Sequence, residues 1–339
     1  MSENEQLSER RFRRFGILTI ASVFFLIFVG GLVRSTGSGM GCPDWPKCFG
    51  EWAPPTDVSE LPADYKERFK VEGHEIADFD VFKTWTEYIN RLIGVLTGFF
   101  IFLTVFFAIP YLKKDKTVFW LSFLAFVLVG FQGWIGSKVV SSNLAHWMVT
   151  IHMLVALVIV GLLIYTITRS QVFEVTVQNG DTTLHGTMIV LMILTTIQVI
   201  SGTQVREAID TIAMKSGETN RSNWVQMILN DEIGESGVIR DSLNFLFHRS
   251  FSLLFLVFTV LMVRKFRKSF ERNSILYKMG LVSLILIAVQ ILSGKVLDTM
   301  GFPRYVQSLH LFTGSLIAGN YLFITIVLFS KTNYIPVKN

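Results

Sequence analysis

The chain has 339 residues, 51% hydrophobic and only 17% charged, with 30 phenylalanines and a mean hydropathy of +0.48. That balance excludes a water-soluble enzyme with one large core and defines a polytopic membrane protein. The net charge of +5 is loop charge that sets topology, with nothing that marks a nucleic-acid partner.

Eight apolar runs are long enough to cross a bilayer, which takes roughly 20 helical residues each. They lie near 15–35, 87–110, 118–138, 147–168, 185–205, 245–264, 276–296 and 307–330. No small-residue cleavage site follows the first run, so it reads as a span and not as a signal peptide. Two links are long, about 36–86 and 206–244. Arg10, Arg11, Arg13 and Arg14 precede the first run. Lys113, Lys114 and Lys116 follow the second, and Arg264, Lys265, Arg267, Lys268 and Arg272 separate the sixth from the seventh. Alternate threading puts all three clusters on one side, so both termini are expected in the cytoplasm and both long links outside.

The chain repeats itself. Gln132, Gly136, His152, Ala156 and Gly161 recur at identical spacing as Gln290, Gly294, His310, Gly314 and Gly319. Gln198 and Gly202 repeat the start of the motif in the fifth run, while the first run has Ile27 and Gly31. The second run opens with Asn90-Arg91 where the sixth has His248-Arg249. Four helices per half make a parallel repeat, so the expected fold is all-α, with two four-helix bundles over 1–175 and 176–339.

Ionisable groups inside a membrane are costly and default to function. His152, His248 and His310 fall within about two turns of the outer ends of their helices, at the level of Glu87 and Asn90. Imidazoles at one level on bundle helices suit axial ligation of haem. His248 and His310 belong to one half and are placed to ligate one haem from both faces. Ala156 and Gly314 leave room for a flat macrocycle, although small residues at this spacing also serve helix packing. Arg34, Arg91, Lys138, Arg249 and Lys295 ring the outer layer, as cations for haem propionates or as snorkelling interface residues. His74, His146 and His185 read as surface groups.

Glu87 has Phe245 as its counterpart in the other half. It is either a carboxylate favouring a helix N-terminus or an acid–base group beside an incomplete histidine site. Cys42 and Cys48 face an oxidising compartment on this topology, so a disulfide is expected, either as a staple of a Gly/Pro-rich loop or as a redox-active pair.

Together these residues resemble the haem A synthase family of cytochrome oxidase assembly proteins. The resemblance rests on Gly30-Gly31-Leu-Val-Arg34-Ser-Thr-Gly37-Ser-Gly39 and Cys42-Pro-Asp-Trp-Pro-Lys-Cys48. It extends through Glu87-Tyr88-Ile-Asn90-Arg91, His152, His248-Arg249 and His310. It implies oxidation of the C8 methyl of haem O to a formyl group by successive hydroxylations. It further implies haem B held by His248 and His310, with Arg249 and Lys295 beside it, in the C-terminal half. The N-terminal half would take haem O, with Glu87, Asn90, Arg91 and His152 at the reaction site and His152 on the substrate iron. Family members usually carry histidine where this chain has Asn90. A bacterial inner membrane is the implied location. Haem O, membrane lipid, a haem O synthase, an electron-transfer partner and a second copy of the chain are the implied partners. The competing expectation is a dihaem, cytochrome-b-like electron carrier; a histidine-bearing transporter on the same repeat is a third.

Overall fold

The computed structural model describes residues 3–73, 75–171, 173–177, 183–216, 236–300, 302–329 and 333–336. Eight long helices dominate: α1 (Glu3–Thr36), α2 (Val81–Ala108), α3 (Lys116–Ser141) and α4 (His146–Arg169), then α5 (Thr183–Ser216), α6 (Ser236–Ser269), α7 (Ile275–Thr299) and α8 (Arg304–Phe329). All eight are long and apolar enough to cross a membrane. A multi-pass membrane protein follows, because helices satisfy every backbone hydrogen bond within the segment.

The helix starts are written locally. Asp80 accepts from the Lys83 N–H at 3.1 Å and caps α2. Asp115 does the same for α3 through the Thr117 N–H at 3.1 Å, and Ser274 caps α7 through Leu276. Such caps satisfy backbone donors that the first turn leaves free. Several helices outrun their apolar stretches: α1 starts at Glu3, α5 runs on to Ser216 and α6 starts at Ser236. Hydropathy reports where a bilayer could lie, whereas the helix continues through polar residues for as long as its hydrogen bonds do.

The chain divides into two compact units, Met1–Ser170 and Gln171–Asn339. In unit 1 each long helix packs on the next and α4 returns to α1; in unit 2, α5 to α8 follow the same cyclic order. Lipid is as apolar as leucine, so packing and interhelical polar contacts must bind each bundle. In unit 1 the Thr19 hydroxyl meets Thr104 Oγ1 at 2.8 Å and the Phe100 carbonyl at 3.2 Å, tying α1 to α2. A Cβ at Gly16 would lie 1.9 Å from Cδ1 of Ile167, so glycine lets α1 approach α4 this closely. Unit 2 has an apolar core that includes Met188, Phe255, Phe266 and Ile324. There Tyr321 Oη meets Thr259 Oγ1 at 2.6 Å. The outward faces carry exposed Val95, Phe106, Leu253, Ile285 and Leu292, the surface a bilayer covers.

Two features lie outside the helical reading. A two-stranded parallel ribbon joins β1 (Glu174–Val177) to β2 (Asn333–Pro336) within unit 2. The link between α1 and α2 is a folded cap and not a loose loop. Phe49 is its centre, edge-on to Tyr65, Phe69 and Phe79. His74 and the side chain of His146 lie outside the described residues. His185 is exposed at the start of α5, with Nε2 3.3 Å from the Leu328 carbonyl oxygen.

Candidate haem sites

The site residues lie at similar distances along their own helices because of where those helices begin. Glu87, His152 and His310 each stand six residues after the first residue of α2, α4 and α8, about 9 Å along the axis. His248 stands five residues into the apolar part of α6, which begins at Leu243.

In unit 2 the rings of His248 and His310 face each other, with centroids 6.3 Å apart and planes at 66°. A metal bonded to one nitrogen of each ring at about 2 Å requires centroids roughly 6 Å apart. The pair therefore fits a shared axial metal, and imidazole is a haem-iron ligand. Each ring rests against a glycine of the preceding helix. A Cβ at Gly202 would come within 3.1 Å of His248 Cε1, and one at Gly294 within 3.3 Å of His310 Cε1. The room these glycines leave is thus taken by the imidazoles themselves, and Gly314 makes way for the Gln290 carboxamide at 3.4 Å. Gln198 donates to the His248 carbonyl at 3.1 Å, while Gln290 Nε2 lies 3.0 Å from His310 Nε2. Ser201 and Ser293 approach Nδ1 of the two rings at 2.9 Å each. Arg249 and Lys295 both turn to Asp298 Oδ2, at 3.4 Å each.

Unit 1 keeps half of this arrangement. His152 rests against Gly136, whose Cβ would lie 3.5 Å from His152 Cε1, and Gln132 donates to the His152 carbonyl at 2.7 Å. His152 Nδ1 is buried without a hydrogen-bond partner among the described residues. So is Asn90 Oδ1, which a Cβ at Gly30 on α1 would approach to 3.9 Å. One imidazole and one buried carboxamide thus stand where unit 2 has two imidazoles.

Beside Asn90 lies a buried charge pair. Glu87 is 4% exposed; its Oε1 accepts from Arg91 Nη2 at 2.5 Å and its Oε2 from the Cys42 N–H at 2.8 Å. Arg91 also donates to the carbonyls of Cys42 at 3.0 Å, Asp44 at 2.7 Å and Lys47 at 2.9 Å. Cys42 and Cys48 form a fully buried disulfide. A Cβ at Gly41 would lie 2.4 Å from the Lys83 carbonyl oxygen, so the disulfide turn lies directly on the start of α2. The Asp44 carboxylate closes the turn by accepting from the N–H groups of Phe49 at 2.6 Å and Gly50 at 2.8 Å. Of the expected residues Glu87 and Arg91 are in direct contact, and Arg91 is spent on the cap. Lys138 stands over the Trp134 ring at 6.0 Å, and Arg34 is in the last turn of α1.

Sequence reasoning passed over Ser201, Ser293, Asp44 and Asp298. The serines had a readable signal, since Gln-x-x-Ser-Gly occurs at 198–202 and again at 290–294. The aspartates had no such repeat, although Asp44 accepts within its own turn and Asp298 lies one helical turn from Lys295.

Such a molecule is a polytopic helical membrane protein whose bundles carry buried imidazoles suited to haem. The profile of the COX15-CtaA family, described as cytochrome oxidase assembly protein, matches residues 13–322, and the chain belongs to that family. It is 22% identical to the Heme A synthase of Geobacillus kaustophilus over 97% of this chain and 95% of the relative. With the Heme A synthase of Wolbachia sp. subsp. Brugia malayi it shares 26% over 85% and 88% of the two chains. With that of Ehrlichia canis it shares 30% over 54% and 56%.

Proposed function

We propose that this chain is a haem A synthase, an oxidoreductase that converts the C8 methyl of haem O to a formyl group by successive hydroxylations. In this reading unit 2 holds haem B through His248 and His310, and unit 1 takes the substrate, with His152 as the protein ligand to its iron. The observation that carries the reading is the inequality of the two units: paired imidazoles 6.3 Å apart in one, and a lone buried imidazole and a buried carboxylate among the described residues of the other. Full-length similarity to proteins named Heme A synthase supports it.

The chain's own groups take defined parts. His152 orients the substrate from one face. Asn90 offers a buried carbonyl oxygen on the α2 side. Glu87 is the acid–base candidate, oriented by Arg91 and the Cys42 N–H. Arg249 and Lys295, gathered at Asp298, are the cations we assign to the haem B propionates. Bound haem B supplies electron transfer.

Both termini are proposed to be cytoplasmic. In support, the basic N-terminal segment and the α2–α3 link meet at one end of unit 1, where Glu9 pairs with Arg13 and Lys114. Co-expression with a haem O synthase, followed by haem extraction and mass detection, tests the activity. Haem A is the expected product; haem B as the sole haem would leave an electron carrier instead.

A further inference from the structure

The imidazoles of unit 2 are held by hydroxyl groups and that of unit 1 is not. Ser201 Oγ lies 2.9 Å from His248 Nδ1, and Ser293 Oγ 2.9 Å from His310 Nδ1. Each serine also donates to the carbonyl three residues back, Ser201 to Gln198 at 3.0 Å and Ser293 to Gln290 at 3.0 Å. A hydroxyl has a single proton. With that proton given to the backbone, each serine can only accept from the ring, so Nδ1 carries the hydrogen in both histidines. Nε2 is then the lone-pair nitrogen, the form in which neutral imidazole binds a metal. The Gln290 carboxamide agrees, because its N–H points to His310 Nε2 at 3.0 Å and needs an acceptor there.

The corresponding positions of unit 1 are filled differently. Three residues after Gln132 comes Ile135, and three after Ile27 comes Gly30. Neither has a hydroxyl. His152 Nδ1 accordingly has no hydrogen-bond partner among the described residues, although its backbone contact with Gln132 matches that of His248 with Gln198 and its glycine contact resembles those of both unit 2 rings. Against His248, whose carbonyl accepts from Gln198 in the same way, the difference lies in the group that sets the tautomer. Groups of this kind orient a ligating imidazole and raise its basicity, and losing one typically costs about 10–100-fold in metal affinity.

We propose that Ser201 and Ser293 are positioning residues that fix the Nε2-ligating tautomer and make unit 2 a haem-retaining site. Unit 1 lacks both, and its single unbuttressed imidazole lets haem exchange. The inference rests on the haem assignment above and adds a division of labour: a cofactor stays, whereas a substrate enters and a product leaves.

The test uses the full chain purified with its haem. Excess apomyoglobin serves as acceptor, the released haem is identified by extraction, and the midpoint potential of the retained haem is recorded. Ser201→Ala and Ser293→Ala should each speed loss of haem B by about 10-fold or more. Each should also shift the potential upward, because a less basic imidazole stabilises the ferric state less. Threonine at either position should restore both readouts, which separates tautomer control from a packing defect. Ile135→Ser should slow release of haem from unit 1 several-fold. Alanine variants with the parent's release rate and potential would overturn the inference, as would threonine variants that behave like alanine. A parent protein that purifies without any haem would instead overturn the functional reading beneath it.

Discussion

Asn90 is the residue at which the two halves part, standing where unit 2 has His248. Its carboxamide oxygen is buried without a partner among the described residues, a state that costs about 1–3 kcal/mol unless something donates to it. In the reading proposed above, a group on the open face of a haem in unit 1 would supply that donor. Asn90→His should therefore convert the unit 1 haem to a six-coordinate form that no longer binds carbon monoxide. A variant that binds carbon monoxide like the parent would show that residue 90 does not face the iron. Glu87→Gln should keep haem B and stop haem A formation; normal conversion would remove Glu87 from the chemistry. His310→Ala should purify with its tightly bound haem B lost, and an unaltered absorbance spectrum would contradict the assignment in unit 2.

At the scale of elements, Arg91 is one of the α2 side chains that tie down the cap between α1 and α2, beside Thr84, Trp85 and Glu87. The Arg91 guanidinium reaches three backbone carbonyls of the cap and the Glu87 carboxylate. Lysine cannot reproduce that planar fork. Removing the cation leaves a buried carboxylate unpaired, which typically costs about 3–5 kcal/mol. Arg91→Ala should lower the thermal midpoint of the protein and open residues 37–80 to limited proteolysis, and Arg91→Lys should recover only part of the loss. Equal protease resistance in all three proteins would mean that the disulfide holds the cap unaided. The same cap marks where sequence reading stops. The eight spans are legible because twenty apolar residues have one cheap conformation in a bilayer. Phe49, by contrast, is buried only because Tyr65, Phe69 and Phe79 return to it, and no local pattern announces that. The histidines were legible from their repeat, and the serines behind them only once the spacing acquired a geometric meaning. Arg91 was legible as a cation at the right level, but its partners were not.

At the scale of the molecule, the basic clusters predict one sidedness. A cytoplasmic C-terminus requires a fluorescent protein fused there to fold and emit, while alkaline phosphatase fused at the same point should stay inactive. The reverse pattern would invert the topology and place the disulfide cap in a reducing compartment.

The ribbon of unit 2 has a consequence for how the chain can be cut. Glu174 pairs with Asn333 and Val177 with Pro336, so the first and last segments of this unit run side by side. Chains whose ends meet tolerate new termini well. A gene split between Ser170 and Gln171 would leave all four helices and both strands of unit 2 on one piece. Co-produced as two polypeptides, the halves should allow the haem proposed for each unit to be titrated, exchanged or isotopically labelled separately from the other.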